Sequence, residues 1–467
     1  MRNRKNAVVA VLFLVLGGWG SHTLQAKAWQ VRSSMSLAEI QTVFDHAGDG
    51  DKIMFHKGVY DFSAGPFLDL YTDGGAIVIS DKSLSVQGVG EVLIVGRQSE
   101  LDSQGQAIRG VSAFWVSNPG HDKDLSFSNL KFQTFMFAIV AVNTQSTSPL
   151  LYSPCARDIT ISDCVFDDMQ RNAVGLTCVS GNITIRNNRI TAVRFGLFIS
   201  WYWSLGHQDC QGDNTLIDIR NNRMAVGRGG IVMQNTNRVR LNGNTITGTG
   251  NFHWYGISVE GLKTGGEIRN NRCDNVLYGI ELYAAWVNDP LYPSFEESVD
   301  NTVVSGNVLT GITNTGIMFD GGLVRNCRAT GNRISLSAGA FSGIYSDGYS
   351  NRYENNVIDG SGNYACGLFG ADYSSAGGPV YFSHDEYVAG NRVAGFIPTD
   401  CHYWLGYNTH DNRVSGVCSE NATVTDHGIA NEITCLVPTG SAVAVAAVSR
   451  YAGGAADNAV SRESLEK

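Results

Sequence analysis

Four acidic residues stand at related positions of a repeating strand pattern, and these are the residues of the chain best suited to acid–base chemistry. Glu260, Asp320 and Asp347 are each the fourth residue after a glycine that begins the pattern, and Glu281 is the second residue after its own glycine. Paired carboxylates cleave glycosidic bonds when one acts as a general acid and the other as a base or nucleophile. We predict that these four residues, the acidic strip, are catalytic. A solvated surface or a calcium site is the alternative.

Aromatic residues flank the acidic strip along the chain, and their flat faces suit the rings of sugars. Packing of these aromatic side chains against the loops that carry them is the alternative. The predicted substrate-binding residues are His253, Trp254, Tyr255, Trp201, Trp203, Tyr283, Trp286 and Tyr345.

The spacing of stacked strands predicts the distances between the carboxylates of the acidic strip. Neighbouring strands lie about 4.8 Å apart. Asp320 and Asp347 fall on adjacent repeats and match the short separation of a retaining carboxylate pair, whereas Glu260 and Asp320 fall two repeats apart and match the wider inverting separation. Like charges at these distances raise the pKa of one carboxyl, as a general acid requires.

The elements that position these residues are short strands in which inward and outward side chains alternate. Each strand begins near a glycine, and residues one and three after it are mostly apolar, so residues two and four are predicted to face outward. Extra residues follow this strand in several repeats, at 143–157, 201–215, 284–301 and 372–386. Insertions that share one edge of a stack form a wall beside one face and predict a binding cleft there.

A second part of the repeat contains an asparagine bend. The unit apolar-x-apolar-x-Asn-Asn-Arg-Ile recurs at residues 183–190, 217–224 and 268–273, with looser copies elsewhere at steps of 21 to 36 residues. A side-chain amide in a tight bend satisfies backbone groups, and stacked amides form a ladder. The asparagines predicted to stack are Asn188, Asn222, Asn244, Asn271, Asn307 and Asn332, with Asn129 and Asp163 as earlier members. The side chains predicted to point inward are Ile190, Met224, Ile246 and Cys273.

This pattern resembles the right-handed parallel β-helix superfamily, which includes pectate lyases, polygalacturonases, alginate lyases and epimerases, and phage tailspikes. The resemblance covers roughly residues 50–435. It implies an all-β fold, a single right-handed parallel β-helix of about 12 coils, with polysaccharide bound along one strand sheet and its loops. The paired aspartates and Gly-His-Gly of polygalacturonases and the Asp-Pro-His of alginate epimerases are missing, so no member family is matched.

The two ends of the chain differ from the repeat. Residues 1–28 carry basic residues, an apolar run and a small-residue site, and predict a cleaved signal peptide, with an uncleaved membrane anchor as the alternative. Residues 29–50 contain Ser36 and Glu39 in capping-box spacing and predict a helix that caps the first coil. The β-helix is predicted over 51–439, followed by a mobile, Ala-rich tail at 440–467.

The net charge limits the binding partners that can be expected, and the positions of the cysteines indicate which of them could form disulfides. Removing residues 1–28 changes the formal net charge from −9 to −13, which argues against nucleic acid as the partner. Cysteines that replace aliphatic residues inside the repeat, such as Cys273, are predicted to be core residues. Loop cysteines are better disulfide candidates, with Cys401–Cys418 or Cys418–Cys435 close enough to bridge. No cofactor is predicted, and calcium stays open.

Two classes of function follow from these observations. The first is a secreted or periplasmic carbohydrate-active enzyme that cleaves or rearranges glycosidic bonds of a polysaccharide through the acidic strip; within this class hydrolysis stands ahead of a lyase or epimerase acting on uronates. The second is a non-catalytic β-helix that binds glycan or serves as a surface module. A solenoid that only binds or spaces other molecules does not need insertions that form a wall beside a row of carboxylates. These insertions therefore favour the enzyme.

Overall fold

The structure is a computed structural model, and it describes residues 26–69, 74–103, 105–117, 123–141, 157–177, 179, 181–200, 216–249, 254–262, 264–284, 298–321, 323–369, 383–384, 387–405, 409–417, 424–426, 431–439 and 442–450. Among these residues, no helix is both long and apolar enough to cross a membrane.

The fold is a right-handed parallel β-helix in which each coil contributes strands to three parallel sheets. Parallel pairing between consecutive coils is the direct consequence of the repeat, because equivalent residues stack one coil apart. Long strands bend from one sheet into the next and therefore belong to two or three sheets.

The first and second sheets lie on either side of the asparagine bend. The first sheet contains Ala28–Val31, Asp51–Asp61, Leu84–Val95, Leu125–Ser128, Ile159–Ser162, Asn182–Arg186, Leu216–Arg220, Val239–Asn242, Gly266–Arg269, Thr302–Ser305, Arg328–Thr330, Arg352–Glu354, Tyr387–Leu405, Arg413–Val417 and Glu432–Thr439. The second contains Leu84–Val95, Lys131–Ala141, Val165–Thr177, Arg189–Ala192, Arg223–Val226, Thr245–Gly248, Arg272–Asp274, Val308–Ile312, Arg333–Ser346, Val357–Leu368 and Tyr387–Leu405.

The third sheet carries the acidic strip. Its strands are Ile77–Ser80, Ser112–Ser117, Lys131–Ala141, Val165–Thr177, Phe195–Ser200, Gly229–Thr236, Tyr255–Leu262, Tyr278–Tyr283, Thr315–Asp320, Arg333–Ser346, Val357–Leu368, Tyr387–Leu405 and Val424–Asp426. Short strands outside these sheets are Leu68–Asp69, Glu100–Leu101, Ala107–Gly110, Val299–Asp300, Val324–Arg325, Ser383–His384 and Thr409–His410.

Helix α1 (Leu37–His46) closes the first coil, as the sequence predicts. The Ser36 side chain accepts from the Glu39 backbone N–H while the Glu39 carboxylate accepts from the Ser36 backbone, which completes the capping box. Phe44 on its buried face packs against Phe55 and Phe114 of the first coils. Within the segment expected to be only a cap, Ala28–Val31 forms an additional strand parallel to Asp51–Asp61.

The core runs along the axis as columns of stacked aliphatic side chains. In the third sheet, Ile257, Ile280, Ile317 and Ile344 are in register on successive coils, and all four are fully buried. The inward orientation predicted for Ile190, Met224, Ile246 and Cys273 is confirmed, since all are buried in the same core. Burial of such columns supplies the main stabilisation of a solenoid, because each coil covers the apolar face of the next.

The asparagine ladder is present as predicted. The side-chain oxygen of Asn222 accepts from the backbone N–H and the Nδ2 of Asn188, both at 2.9 Å, and the Nδ2 of Asn222 donates to the Ile185 carbonyl at 2.9 Å. The same three bonds repeat along the buried series Asn222, Asn244, Asn271, Asn307, Asn332 and Asn356. Each amide therefore satisfies two backbone groups of the preceding coil.

Replacing one ladder asparagine is expected to destabilise the fold. In Asn271→Ala, the two Asn244 donors and the Leu241 carbonyl lose their buried partner, which should cost about 2–4 kcal/mol. Urea unfolding measures this loss. Asn242→Ala is the control, because exposed Asn242 accepts only from the Asn270 side chain. Equal losses in the two variants would contradict a structural ladder.

Two earlier members that the sequence assigns to the ladder occupy a different position. Asn129 and Asp163 have positive φ angles of 54° and 57°, like Asn187 at 58°, which precedes the ladder residue Asn188. The ladder position of the Asp163 coil is Cys164, whose backbone N–H donates to the Asn188 side chain at 2.9 Å. Asn and Asp adopt the left-handed conformation more readily than most residues, which accounts for their presence at this bend.

The remaining predictions for cysteines and for the C-terminal segment have mixed outcomes. Cys273 is a buried free cysteine, as expected, and so are Cys164 and Cys327. Cys418, which both proposed bridges require, lies outside the described residues, as do most of residues 1–28. In the segment predicted as a tail, Ala442–Arg450 forms a strand antiparallel to Glu432–Thr439, which no repeat signal had indicated.

Candidate functional site

The register of the third sheet places one carboxylate of the acidic strip on each of four successive coils. Glu260 pairs with Tyr283, which pairs with Asp320, and Asp347 follows Ser346 in the next strand. Glu281 lies two residues before Tyr283 in its own strand, opposite Ser258. The alternation of the strands therefore places Glu260, Glu281 and Asp320 on the outer face, whereas Asp347 follows the end of its strand.

Glu260 and Glu281 are linked by one hydroxyl group. Ser258 Oγ lies 2.6 Å from Glu281 Oε2 and 3.5 Å from Glu260 Oε1, and Gln234 Nε2 donates to Glu260 Oε2 at 2.5 Å. A serine hydroxyl has a single proton to donate. Ser258 thus fixes the orientation of Glu281 more strongly than that of Glu260.

Burial gives Glu281 an unusual proton affinity. Its side chain is on the outer face but only 5% exposed, which corrects the expectation of an exposed position. Desolvation raises the pKa of Glu281 to about 8; the Ser258 hydrogen bond opposes this shift, and the charges of Glu260 and Asp320 add to it. Burial also raises the pKa of Glu260. Glu281 is therefore mostly protonated at neutral pH and can donate a proton.

Asp320 and Asp347 form the second pair of the strip. Burial raises the pKa of Asp320 to about 6, opposed by hydrogen bonds with Asp347 and with the Gly321 backbone. Asp347 is 1% exposed and accepts from the Gly321 N–H at 2.5 Å and the Tyr345 hydroxyl at 3.4 Å. Asp347 is thus buried, contrary to the exposed position expected for it, and its hydrogen bond with Asp320 lowers the pKa of that carboxyl.

An aromatic group lies beside Glu260 and Glu281. The Trp254 ring is 38% exposed and meets Tyr255 edge-on, and Tyr255 stacks on Tyr278 with ring centroids 5.5 Å apart. Desolvation, together with Glu281 and Glu260, raises the pKa of Tyr255 far above its usual range, so its hydroxyl stays protonated. Tyr278 was missed from sequence, although it precedes Gly279 just as Tyr255 precedes Gly256.

A second aromatic group lies on the far side of the strip and was mostly missed. Tyr345 stacks on Phe369 with centroids 4.7 Å apart, and Phe341 stacks on the same ring at 5.5 Å. The sequence pattern aligned Phe369 with Tyr345, but the register places Gly367 opposite Tyr345. Predicted Tyr283 is half-buried between Glu260 and Asp320.

Several predicted residues lie outside the part of the chain that the structure describes. These residues are His253, Trp201, Trp203 and Trp286. The predicted walls at 201–215 and 372–386 likewise fall almost entirely outside the described ranges. Their contribution to a cleft stays a prediction.

The raised pKa of Glu281 predicts a pH-dependent stability. Between its ordinary value of 4.5 and about 8, Glu281 keeps its proton in the folded chain but loses it in the unfolded chain. Neutral Glu281 therefore makes its full contribution to the free energy of unfolding below pH 4.5. This contribution falls as the pH rises and is lost above about pH 8. Glu281→Gln should gain stability over wild type across this interval, on the order of a few kcal/mol.

Urea unfolding at both ends of this pH interval measures the effect. Glu267→Gln is the matched control, since Glu267 lies on the first sheet in a surface ion pair with Arg269. A Glu281→Gln stability difference that does not change with pH would contradict a buried neutral carboxyl.

One protein-family model matches part of the chain. Residues 142–297, about a third of the chain, match the model described as periplasmic copper-binding protein (NosD). No curated protein matches.

Solved structures similar to this chain include three with high coverage. The Azotobacter vinelandii mannuronan C-5 epimerase AlgE6 A-module has 12% identity and a TM-score of 0.43, covering 80% of this chain and 94% of its own. XylC in complex with xylose has 10% identity, a TM-score of 0.40 and coverages of 90% and 89%. PfbA, a surface adhesin of Streptococcus pneumoniae, has 12% identity, a TM-score of 0.41 and coverages of 90% and 98%.

The described residues of the matched segment do not fit copper. Copper favours thiolate, thioether and imidazole ligands. Cys164 and Cys273 are core residues, and burial raises the pKa of the Cys164 thiol to about 12, which suppresses the thiolate. Within the described ranges, no group of three or more His, Cys, Asp or Glu residues is arranged to hold a metal ion. The chain is a right-handed parallel β-helix protein, an assignment that rests on its sheet register.

Proposed function

We propose that this protein is an exported hydrolase of polysaccharides, in which Glu281 is the general acid and Asp320 the general base. The observation that carries the proposal is the pair of unequal pKa values on one sheet face, about 8 for Glu281 and about 6 for Asp320. When the environments of two neighbouring titratable groups push their pKa values apart, the group with the higher pKa is assigned as the acid and the other as the base.

The separation of the two carboxylates supports inversion of the anomeric centre. Asp320 lies one coil from Glu281 and two residues further along the strand. A strand spacing of about 4.8 Å and a rise of about 3.3 Å per residue put their backbones about 8 Å apart. Inverting pairs leave about 6.5–9.5 Å for a water molecule. Asp320 would activate that water while Glu281 protonates the leaving oxygen.

Asp347 and Glu260 support these roles without carrying them. The nearly complete burial of Asp347 and its hydrogen bond from Gly321 leave it unsuited to attack a sugar. This argues against the retaining pair Asp320 and Asp347 that the sequence left open. The charge of Glu260 helps to keep Glu281 protonated. Trp254, exposed beside this pair, is proposed to stack on a sugar ring.

Hydrolysis is favoured over a lyase or epimerase reaction by the charge of the strip. Those reactions need a cation beside the uronate carboxylate whose neighbouring proton is removed. The ionised carboxylates that flank protonated Glu281 would instead repel a uronate at the position of cleavage.

A screen of the mature protein against neutral and acidic polysaccharides tests the proposal. Hydrolysis releases reducing ends without the absorbance of unsaturated sugars, and the anomer formed first, observed by NMR, should be inverted. Reducing ends accompanied by that absorbance would establish a lyase instead. Binding without any cleavage would establish a glycan-binding module.

A further inference from the structure

Three arginines occupy equivalent positions on successive coils. Arg194 and Arg228 immediately precede strands of the third sheet, and Arg171 lies within the long strand Val165–Thr177. The Arg194 backbone N–H donates to the Arg171 carbonyl at 2.9 Å, and the Arg228 backbone N–H donates to the Arg194 carbonyl at 2.9 Å. The next residue of this column is Trp254, whose N–H donates to the Arg228 carbonyl at 2.7 Å. The arginines therefore lead directly to the aromatic group beside Glu260 and Glu281.

Two of the guanidinium groups are held over the outer face by aromatic rings. The guanidinium carbons of Arg194 and Arg228 lie 4.8 Å and 5.7 Å from the centre of the Phe195 ring, and that of Arg228 lies 4.2 Å from Trp254. Phe195 stacks on Phe198, with centroids 5.5 Å apart. Phe198 is in the outer-face column that leads through Ser258 to Glu281.

The charges of these two arginines are not balanced within the described part of the chain. No described carboxylate forms an ion pair with Arg194 or Arg228, and the Arg194 Nε is buried without a hydrogen-bond partner. Arg272 on the second sheet, in contrast, pairs with Asp274 at 2.6 Å. A buried guanidinium donor without a protein acceptor is available to an acceptor from a ligand or from water.

We propose that Arg194 and Arg228 bind an anionic substituent of the glycan, a carboxylate or sulfate group, on a sugar further along the glycan from the one whose bond is cleaved. The planar forks of two arginines match the oxygens of such groups. Arg228 lies two coils from Glu281 and four residues earlier along the strand direction, which puts the two backbones about 16 Å apart. The substrate is thus an acidic polysaccharide with an uncharged group at the acidic strip. This inference rests on the proposed hydrolase function.

The first experiment measures the preference for charge with matched oligosaccharides. The probes are oligogalacturonate against its methyl ester and chondroitin sulfate oligosaccharide against its desulfated form, bound to Glu281→Gln protein and measured by calorimetry. One charged probe should bind about tenfold or more tightly than its neutral counterpart. The preference should disappear in Arg194→Gln/Arg228→Gln. It should persist in Arg189→Gln/Arg223→Gln, which removes two exposed arginines of the same coils on the second sheet.

The second experiment separates the anion site from the hydrolase. Inorganic sulfate should raise the melting temperature of wild type and of the Arg189/Arg223 variant by about 2 °C more than that of the Arg194/Arg228 variant. Equal shifts in all three proteins would overturn the anion site, whatever polysaccharide is cleaved, and so would a charge preference that survives Arg194→Gln/Arg228→Gln. A sulfate effect specific to Arg194 and Arg228, without cleavage of any polysaccharide, would retain the site and refute the hydrolase.

Discussion

Replacing Glu281 with glutamine is expected to lower the rate of glycosidic bond cleavage at least about a hundredfold, because the amide cannot protonate the leaving oxygen. Folding should be preserved, since glutamine fills the same buried space and can accept from Ser258, 2.6 Å away. Substrate binding should largely survive for the same reason. The measurement is kcat and KM on the polysaccharide identified by the screen, with circular dichroism as the test of folding.

Wild-type activity should depend on pH through the same two groups. Activity should rise as Asp320 ionises above about 6 and fall as Glu281 loses its proton above about 8. The residual activity of Glu281→Gln should lack the fall at high pH. Glu267→Gln, on the first sheet, should retain full activity and the whole profile. An unchanged kcat in Glu281→Gln would show that Glu281 is not the general acid. The acidic strip would then be a feature of the surface without a catalytic role.

Replacing Ile246 with aspartate is expected to prevent folding altogether. Ile246 is fully buried between Met224 and Cys273 of the adjacent coils. An unpaired charge at this depth costs several kcal/mol, in addition to the packing lost, and folded proteins are typically stable by only about 5–15 kcal/mol. Soluble yield, circular dichroism and thermal unfolding measure the effect.

Thr245→Asp is the matched control in the same strand. Thr245 points to the opposite side and pairs with Arg223 and Arg272 of the neighbouring coils, so an aspartate there gains cationic neighbours. This variant should fold normally. If Ile246→Asp folded as well as Thr245→Asp, the packed column through Ile246 would not be required for the solenoid.

The sequence determined the stacking of the coils, because equivalent residues one repeat apart become neighbours in space. Aligning Asn188 with Asn222 predicted a hydrogen bond between residues 34 positions apart. The alternation after each glycine likewise placed Glu260, Glu281 and Asp320 on one outer face of consecutive strands. The local sequence pattern was also sufficient to predict the N-terminal helix cap, where Ser36 and Glu39 exchange the two hydrogen bonds of a capping box.

Only the tertiary structure decided how deeply these residues are covered and which of them interact. The depth of Glu281, and with it a pKa of about 8, depends on side chains from neighbouring coils that no single repeat contains. Counting two residues from the glycine aligns Phe369 after Gly367 with Tyr345 after Gly343, but the register pairs Gly367 itself with Tyr345, so Gly367 is not the equivalent glycine. The row of Arg171, Arg194 and Arg228 could likewise not be predicted from sequence. These arginines are 23 and 34 residues apart along the chain, and they become neighbours only when each coil closes.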